Sequence, residues 1–123
     1  MKIIVIKKDT LLYDEFKFKC SIGKNGRTTK KIEGDNKTPK GLYALGPLYY
    51  RKDRLFKLST RIKKIEIKKN FGWCDDVNSK FYNKPIKINN KVRHEKLYRN
   101  DKKYDLLIPI KYNSKRPKKN KGS

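Results

Sequence analysis

The sequence predicts a mainly β fold in one small domain. Three observations carry this. The chain has 123 residues, which allows one compact domain and excludes a two-domain enzyme. It holds 12 Ile, 8 Tyr and 5 Phe, residues suited to pleated sheet, so wholesale disorder is not expected despite an apolar fraction of 35%. Its apolar residues come in short or alternating runs, with no long helical period and no internal repeat.

The elements follow in order. Lys2 to Ile6 is a β-branched run and reads as a strand. Leu12 to Ile22 alternates roughly. Phe16, Phe18 and Cys20 lie on one face and Lys17 and Lys19 on the other, which predicts a half-buried strand with the aromatics inward. Gly23-Lys24-Asn25-Gly26 ends it as a turn. Residues 27–41 are polar and read as an ordered loop. Leu42 to Tyr50 reads as a strand broken at Gly46-Pro47, and Arg61 to Lys69 as another. Asn70 to Pro85 reads as a loop, followed by a short strand at Ile86 and Ile88. His94 to Asn100 reads as one or two helical turns, and Tyr104 to Ile110 as a late strand. Residues 1–112 thus form the domain, and residues 113–123 a basic loop or tail.

The net charge is +23, from 35 Lys or Arg against 12 Asp or Glu. Such a surface attracts nucleic acid, anionic lipid or anionic wall polymer. Composition explains much of it: 28 of the cations are Lys, there are 10 Asn and a single Ala, and Lys, Ile, Asn, Tyr and Phe share A/T-rich codons. The cations are also spread, 15 in residues 1–60 and 20 in residues 61–123. A nucleic-acid reader concentrates Arg and aromatics on one element. Nucleic acid is therefore the weaker expectation, with Tyr49, Tyr50, Trp73 and Tyr82 as the rings that would stack on bases. No apolar run reaches the roughly 20 residues of a membrane helix, and no secretory leader pattern opens the chain.

Metal and thiol chemistry have few residues to work with. His94 is the one imidazole and Cys20 and Cys74 the two thiols. Three scattered ligands do not make a structural zinc site, and Cys74-Asp75-Asp76 reads as a Cys beside a turn rather than a metal cluster. A nucleophilic Cys needs a base and an oxyanion hole. A Cys74–His94 pair is open in space but has no local mark, and Cys20 reads as a small buried thiol. A Cys20–Cys74 disulfide would require an oxidising compartment.

The stretch Glu33-Gly34-Asp35-Asn36-Lys37-Thr38-Pro39-Lys40-Gly41 is the most constrained in the chain. Gly34 and Gly41 permit unusual backbone angles, Pro39 fixes φ and extends Thr38, and Asp35 and Thr38 can hold local N–H groups. It is a rigid loop that either positions a ligand or turns a corner.

Several stretches together resemble the L,D-transpeptidase catalytic domain, the YkuD-like family. They are Cys20-Ser21-Ile22-Gly23-Lys24-Asn25-Gly26, the Glu33–Gly41 loop, Phe71-Gly72-Trp73-Cys74-Asp75-Asp76, Tyr82-Asn83-Lys84-Pro85, His94-Glu95-Lys96-Leu97, Tyr104-Asp105 and Tyr112-Asn113. The Gly-Asp-x-x-Thr-Pro-x-Gly element is widespread in that family, and Gly-Trp-Cys-Asp-Asp belongs to a branch of it. The resemblance implies a curved β-sandwich or barrel and a transferase that cross-links cell-wall peptidoglycan through a Cys acyl-enzyme. It implies peptidoglycan stem peptides as partners, a periplasmic or envelope location, and no cofactor. Gly34, Asp35, Thr38, Pro39, Gly41, Trp73 and His94 become candidate substrate-binding residues.

The family's nucleophile motif is a His followed by Ser or Thr, a variable residue, Gly and Cys. It lies after a Gly-Ser that Gly122-Ser123 matches, and neither His nor Cys occurs after His94. The expectation is a truncated, incomplete domain without catalytic residues. The alternative is a non-catalytic basic module that binds peptidoglycan or another anionic polymer.

Overall fold

A computed structural model describes residues 3–123, with side chains from residue 8 onward. The molecule is mainly β, and no helix occurs among the described residues. Its sheets are small, of two or three strands, and none closes into a barrel. The chain divides into two compact units, Met1–Gly41 and Leu42–Ser123.

In the first unit, β1 (Ile3–Lys7), β2 (Thr10–Tyr13) and β3 (Phe16–Lys19) form an antiparallel meander in that order. The single strand expected over Leu12–Ile22 is thus part of a hairpin. Asp14, at φ 49°, and Glu15 make its two-residue turn, a geometry that favours Asp because its short polar side chain tolerates left-handed backbone. The expected inward face is also corrected. Phe16 and Phe18 are 53% and 52% exposed, stacked on each other at 6.3 Å on the edge strand. Alternation places both rings on one face, but alternation alone does not bury a face.

The loop of residues 27–41 contains two short parallel strands, β4 (Arg27–Thr28) and β5 (Thr38–Pro39). Pro39 fits there because Lys40 and Thr38 supply the backbone donors, to Thr28 at 2.7 Å and Gly26 at 2.8 Å.

The second unit holds the core. β6 (Leu48–Tyr50) runs parallel to β7 (Lys64–Glu66) and antiparallel to β11 (Leu106–Leu107). β8 (Phe71–Cys74) lies between β9 (Pro85–Lys87) and β10 (His94–Lys96), antiparallel to both. Two expectations change here. The Asn70–Pro85 loop contains the central strand β8, and the helical turns expected from His94 are strand β10. Tyr49, Ile67 and Leu97 are buried together, with Ile65, Phe71, Trp73, Tyr98, Tyr104 and Leu107 around them. Tyr49 meets both Phe71 and Trp73 edge-on, at 6.5 and 6.2 Å. Burying three such side chains contributes about 2 kcal/mol each.

Charged residues close the other side of this core. Arg51 is 4% exposed, yet every arm of its guanidinium is used. It donates to both oxygens of Asp53 (2.8 and 2.7 Å) and to the Arg99 carbonyl, and stacks over the Tyr98 ring at 3.6 Å. A buried cation survives only when paired and hydrogen-bonded in this way.

Candidate functional site

The candidate residues fall in both units, and each unit is described by itself. In the first, the loop containing Gly34, Asp35, Thr38 and Pro39 is organised from within. The Asp35 carboxylate accepts from Lys31 Nζ (2.8 Å), Ile32 N–H (2.8 Å) and Lys37 N–H (2.9 Å). Those donors, the Ile32 amide foremost, hold its pKa at about 2, below the ordinary 3.8. Gly34 takes φ 76° and Asn36 φ 54° to form the bend. The Thr38 hydroxyl accepts from Gly23 N–H at 2.7 Å, and Asn25 N–H donates to the Asn36 carbonyl at 2.9 Å. This approach is close: a Cβ on Gly23 would stand 2.4 Å from the Asn36 oxygen. Asp35 and Thr38 therefore spend their polar atoms shaping the loop. Gly41, exposed, ends the unit.

Cys20, a free half-buried thiol, lines an open cavity of about 600 Å³ with Lys8, Asp9, Ser21 and Lys24. No imidazole is among the cavity's lining residues.

In the second unit, β8 carries Trp73 and Cys74 on adjacent positions, so they point to opposite faces. Cys74 is directly opposite His94, and Trp73 opposite Glu95. The backbone bonds from Asp75 N–H to Arg93 and from Leu97 N–H to Phe71 make Cys74–His94 a non-hydrogen-bonded pair, the kind with the closer side chains. His94 thus shares a face with Cys74, and Trp73 does not.

Trp73 faces the core, against Tyr49, and its Nε1–H donates to Asn83 Oδ1 at 3.0 Å. Asn83 is 6% exposed, sits at φ 56°, and uses its amide nitrogen on the Tyr112 (3.1 Å) and Asn113 (2.8 Å) carbonyls. Asn113 in turn holds the Lys118 N–H and the Lys118 and Gly122 carbonyls. The Tyr82 hydroxyl accepts from Gly122 N–H at 3.0 Å. One continuous network therefore joins Trp73, Tyr82, Asn83, Tyr112, Asn113 and Gly122, all from motif stretches. All of them lie in motif stretches of the sequence, yet only Trp73 among them is a candidate substrate-binding residue there. The usable signal was an Asn on either side of the network, each following a Tyr, since a buried amide can serve backbone donors and acceptors together.

On the opposite face, His94 is half-buried. Its Nδ1 lies 2.7 Å from the Val92 carbonyl. A carbonyl only accepts, so Nδ1 carries a proton, and in the uncharged tautomer that follows Nε2 is an acceptor. Cys74 is wholly buried, at 0% exposure. No thiol–imidazole hydrogen bond joins the two among the described residues. The pair has adjacency without the access or alignment of a nucleophile and its base. Both cysteines are free thiols.

No group of His, Cys, Asp and Glu suited to a metal ion occurs among the described residues. No helix long and apolar enough to cross a membrane occurs among the described residues. No protein-family model, curated protein or solved structure matches the chain.

Proposed function

We propose that this chain is an L,D-transpeptidase-like protein, and that its 123 residues supply a framework for peptidoglycan stem peptides without supplying the nucleophile. One observation supports this most. Several of the motif residues on which the resemblance rests, those of the second unit, hydrogen-bond to one another, from Trp73 through Asn83 to Asn113 and Gly122. Unrelated sequence coincidences have no reason to converge on one hydrogen-bonded network. The mainly β architecture is compatible with the finer reading, a curved β-sandwich of the family's type.

In this reading Trp73 braces the sheet from its core side, while His94 presents Nε2 on the other face to a peptide amide. The Gly34–Gly41 loop is a second, independently rigid element. Acyl transfer is not assigned to Cys74, whose side chain is wholly buried, nor to Cys20, whose cavity is lined by no imidazole. Turnover of a tetrapeptide donor that Cys74→Ala abolished would contradict this assignment.

The test of binding is retention on purified peptidoglycan, comparing native with heat-denatured chain. Both carry the same +23 charge. The reading expects the native chain alone to be retained in moderate salt, where diffuse charge attraction is screened. No retention even at low salt, or equal retention of the denatured chain, would contradict it.

A further inference from the structure

Phe16 and Phe18 stand on β3, an edge strand of the first unit's meander, and both are more than half exposed. Among the described residues they are the one pair of rings that stacks; the other ring pairs meet edge-on. Tyr13 lies opposite Phe16 and Leu11 opposite Phe18, so the apolar face runs across two strands. Lys17 and Lys19 alternate with the rings and take the other face. Both are exposed, and neither side chain has an ion-pair or hydrogen-bond partner among the described residues. The outer edge of the strand is open as well. The two-residue turn at Asp14-Glu15 makes Phe16 and Phe18 the residues hydrogen-bonded to β2, and the Cys20 N–H continues that side to the Asp9 carbonyl at 2.8 Å. The backbone N–H and C=O groups of Lys17 and Lys19 therefore point away from β2.

We propose that β3 is a membrane-contact strand. It rests on an anionic bilayer surface, with Phe16 and Phe18 in the boundary between headgroups and acyl chains and Lys17 and Lys19 on lipid phosphates. The exposed rings call for an apolar phase, which a soluble polyanion lacks. With about half of each ring exposed, the pair offers roughly 200 Å². A stable protein interface needs roughly 800 Å² from each partner. A second copy would also bring another +23 against the first. A bilayer needs neither a large patch nor shape complementarity, and an anionic leaflet complements the charge. Each Lys stem is long enough to lie along the rings while its ammonium stays with the phosphates. The open backbone edge sets the depth, because unpaired N–H and C=O groups stay hydrated and do not enter hydrocarbon. Asp14 and Glu15 are repelled by the same surface, so the strand seats from its Lys19 end, where Lys8 and Lys24 flank Cys20. This surface is independent of the stem-peptide reading.

The test is cosedimentation of the full chain, in moderate salt, with vesicles of phosphatidylcholine alone and of phosphatidylcholine mixed with phosphatidylglycerol. Wild type is compared with Phe16→Thr/Phe18→Thr, in which Thr keeps strand propensity, and with Lys17→Gln/Lys19→Gln. Two controls lie in the second unit: Leu42→Thr/Phe56→Thr, on exposed apolar residues, and Lys57→Gln/Lys69→Gln, with the same net charge as the other lysine variant. Wild type is expected on the anionic vesicles and not on the neutral ones. The ring variant should bind about thirtyfold more weakly, the β3 lysine variant about tenfold, and each control less than about threefold. Phe18→Trp should gain quenching by lipids brominated in their acyl chains, beyond that of wild type, whose Trp73 faces the core. Equal losses in the β3 variants and their controls, equal binding to neutral vesicles, or no added quenching would overturn the proposal. A concentration-dependent dimer that the ring variant lacks would overturn it as well, by making a second copy the occupant.

Discussion

Asn83 shows how a single residue can carry an architecture. It holds a left-handed backbone angle, accepts from the Trp73 indole and donates to two carbonyls, while its own N–H closes on Cys74. Asn83→Ala would remove the acceptor of the half-buried Trp73 indole N–H and the amide donor shared by the Tyr112 and Asn113 carbonyls. Such orphaned groups cost about 1–3 kcal/mol each. The variant should lose on the order of 3 kcal/mol of stability in urea unfolding, with tryptophan emission shifted in the folded baseline. A loss below about 0.5 kcal/mol would mean that water replaces the network. This residue was partly legible: Tyr82-Asn83-Lys84-Pro85 stood out as a motif, but sequence says nothing about which carbonyls an Asn will meet 30 residues later.

At the scale of elements, β8 and β10 are two of the strands that the sequence does not predict, for related reasons. Gly72 inside Phe71–Cys74 looks like a loop residue, since glycine weakens a strand. Its missing side chain is what the sheet uses. A Cβ there would lie 3.1 Å from His94 Cδ2 and from Ile88 Cγ1, and 3.3 Å from the Glu95 carbonyl. His94-Glu95-Lys96 reads as helix by propensity, yet pairing with β8 overrides a preference worth only tenths of a kcal/mol per residue. Gly72→Ala should therefore cost about 1–3 kcal/mol through overpacking. It should also move the His94 ring resonances in an NMR spectrum while sparing those of Trp73, on the other face. An unchanged His94 signal would place the ring elsewhere. The hairpin tells the complementary lesson. Period-2 alternation assigned Phe16 and Phe18 to a shared face, but burial depends on what packs there, and that is tertiary information.

For the whole molecule, the mainly β class followed from composition and short apolar runs, whereas the division at Gly41 and Leu42 had no signal stronger than an ordinary Gly. Acid stability belongs to this scale. Asp35, Asp53 and Asp101 sit at about 2 against the ordinary 3.8. The Ile32 amide leads for the first, and hydrogen bonds from Arg51 and Arg99 lead for the others. Folded values below unfolded ones mean that the contribution is complete above about pH 5 and disappears as pH falls through 3.8 toward 2. Melting temperature should be flat from about pH 7 to 5 and drop below about pH 4. Asp35→Asn should shallow that drop; an identical acid limb would show that the carboxylate is not held by its loop.

The central claim concerns the His94 face of the β8–β10 pair. The direct measurement is a ¹⁵N–¹H titration of the chain with a peptidoglycan stem tetrapeptide in moderate salt. The account predicts saturable shifts centred on Gly72–Asp75 and His94–Lys96, weakened about tenfold by His94→Phe, the loss of one hydrogen bond. Shifts spread evenly over the surface lysines, or none that saturate, would contradict it.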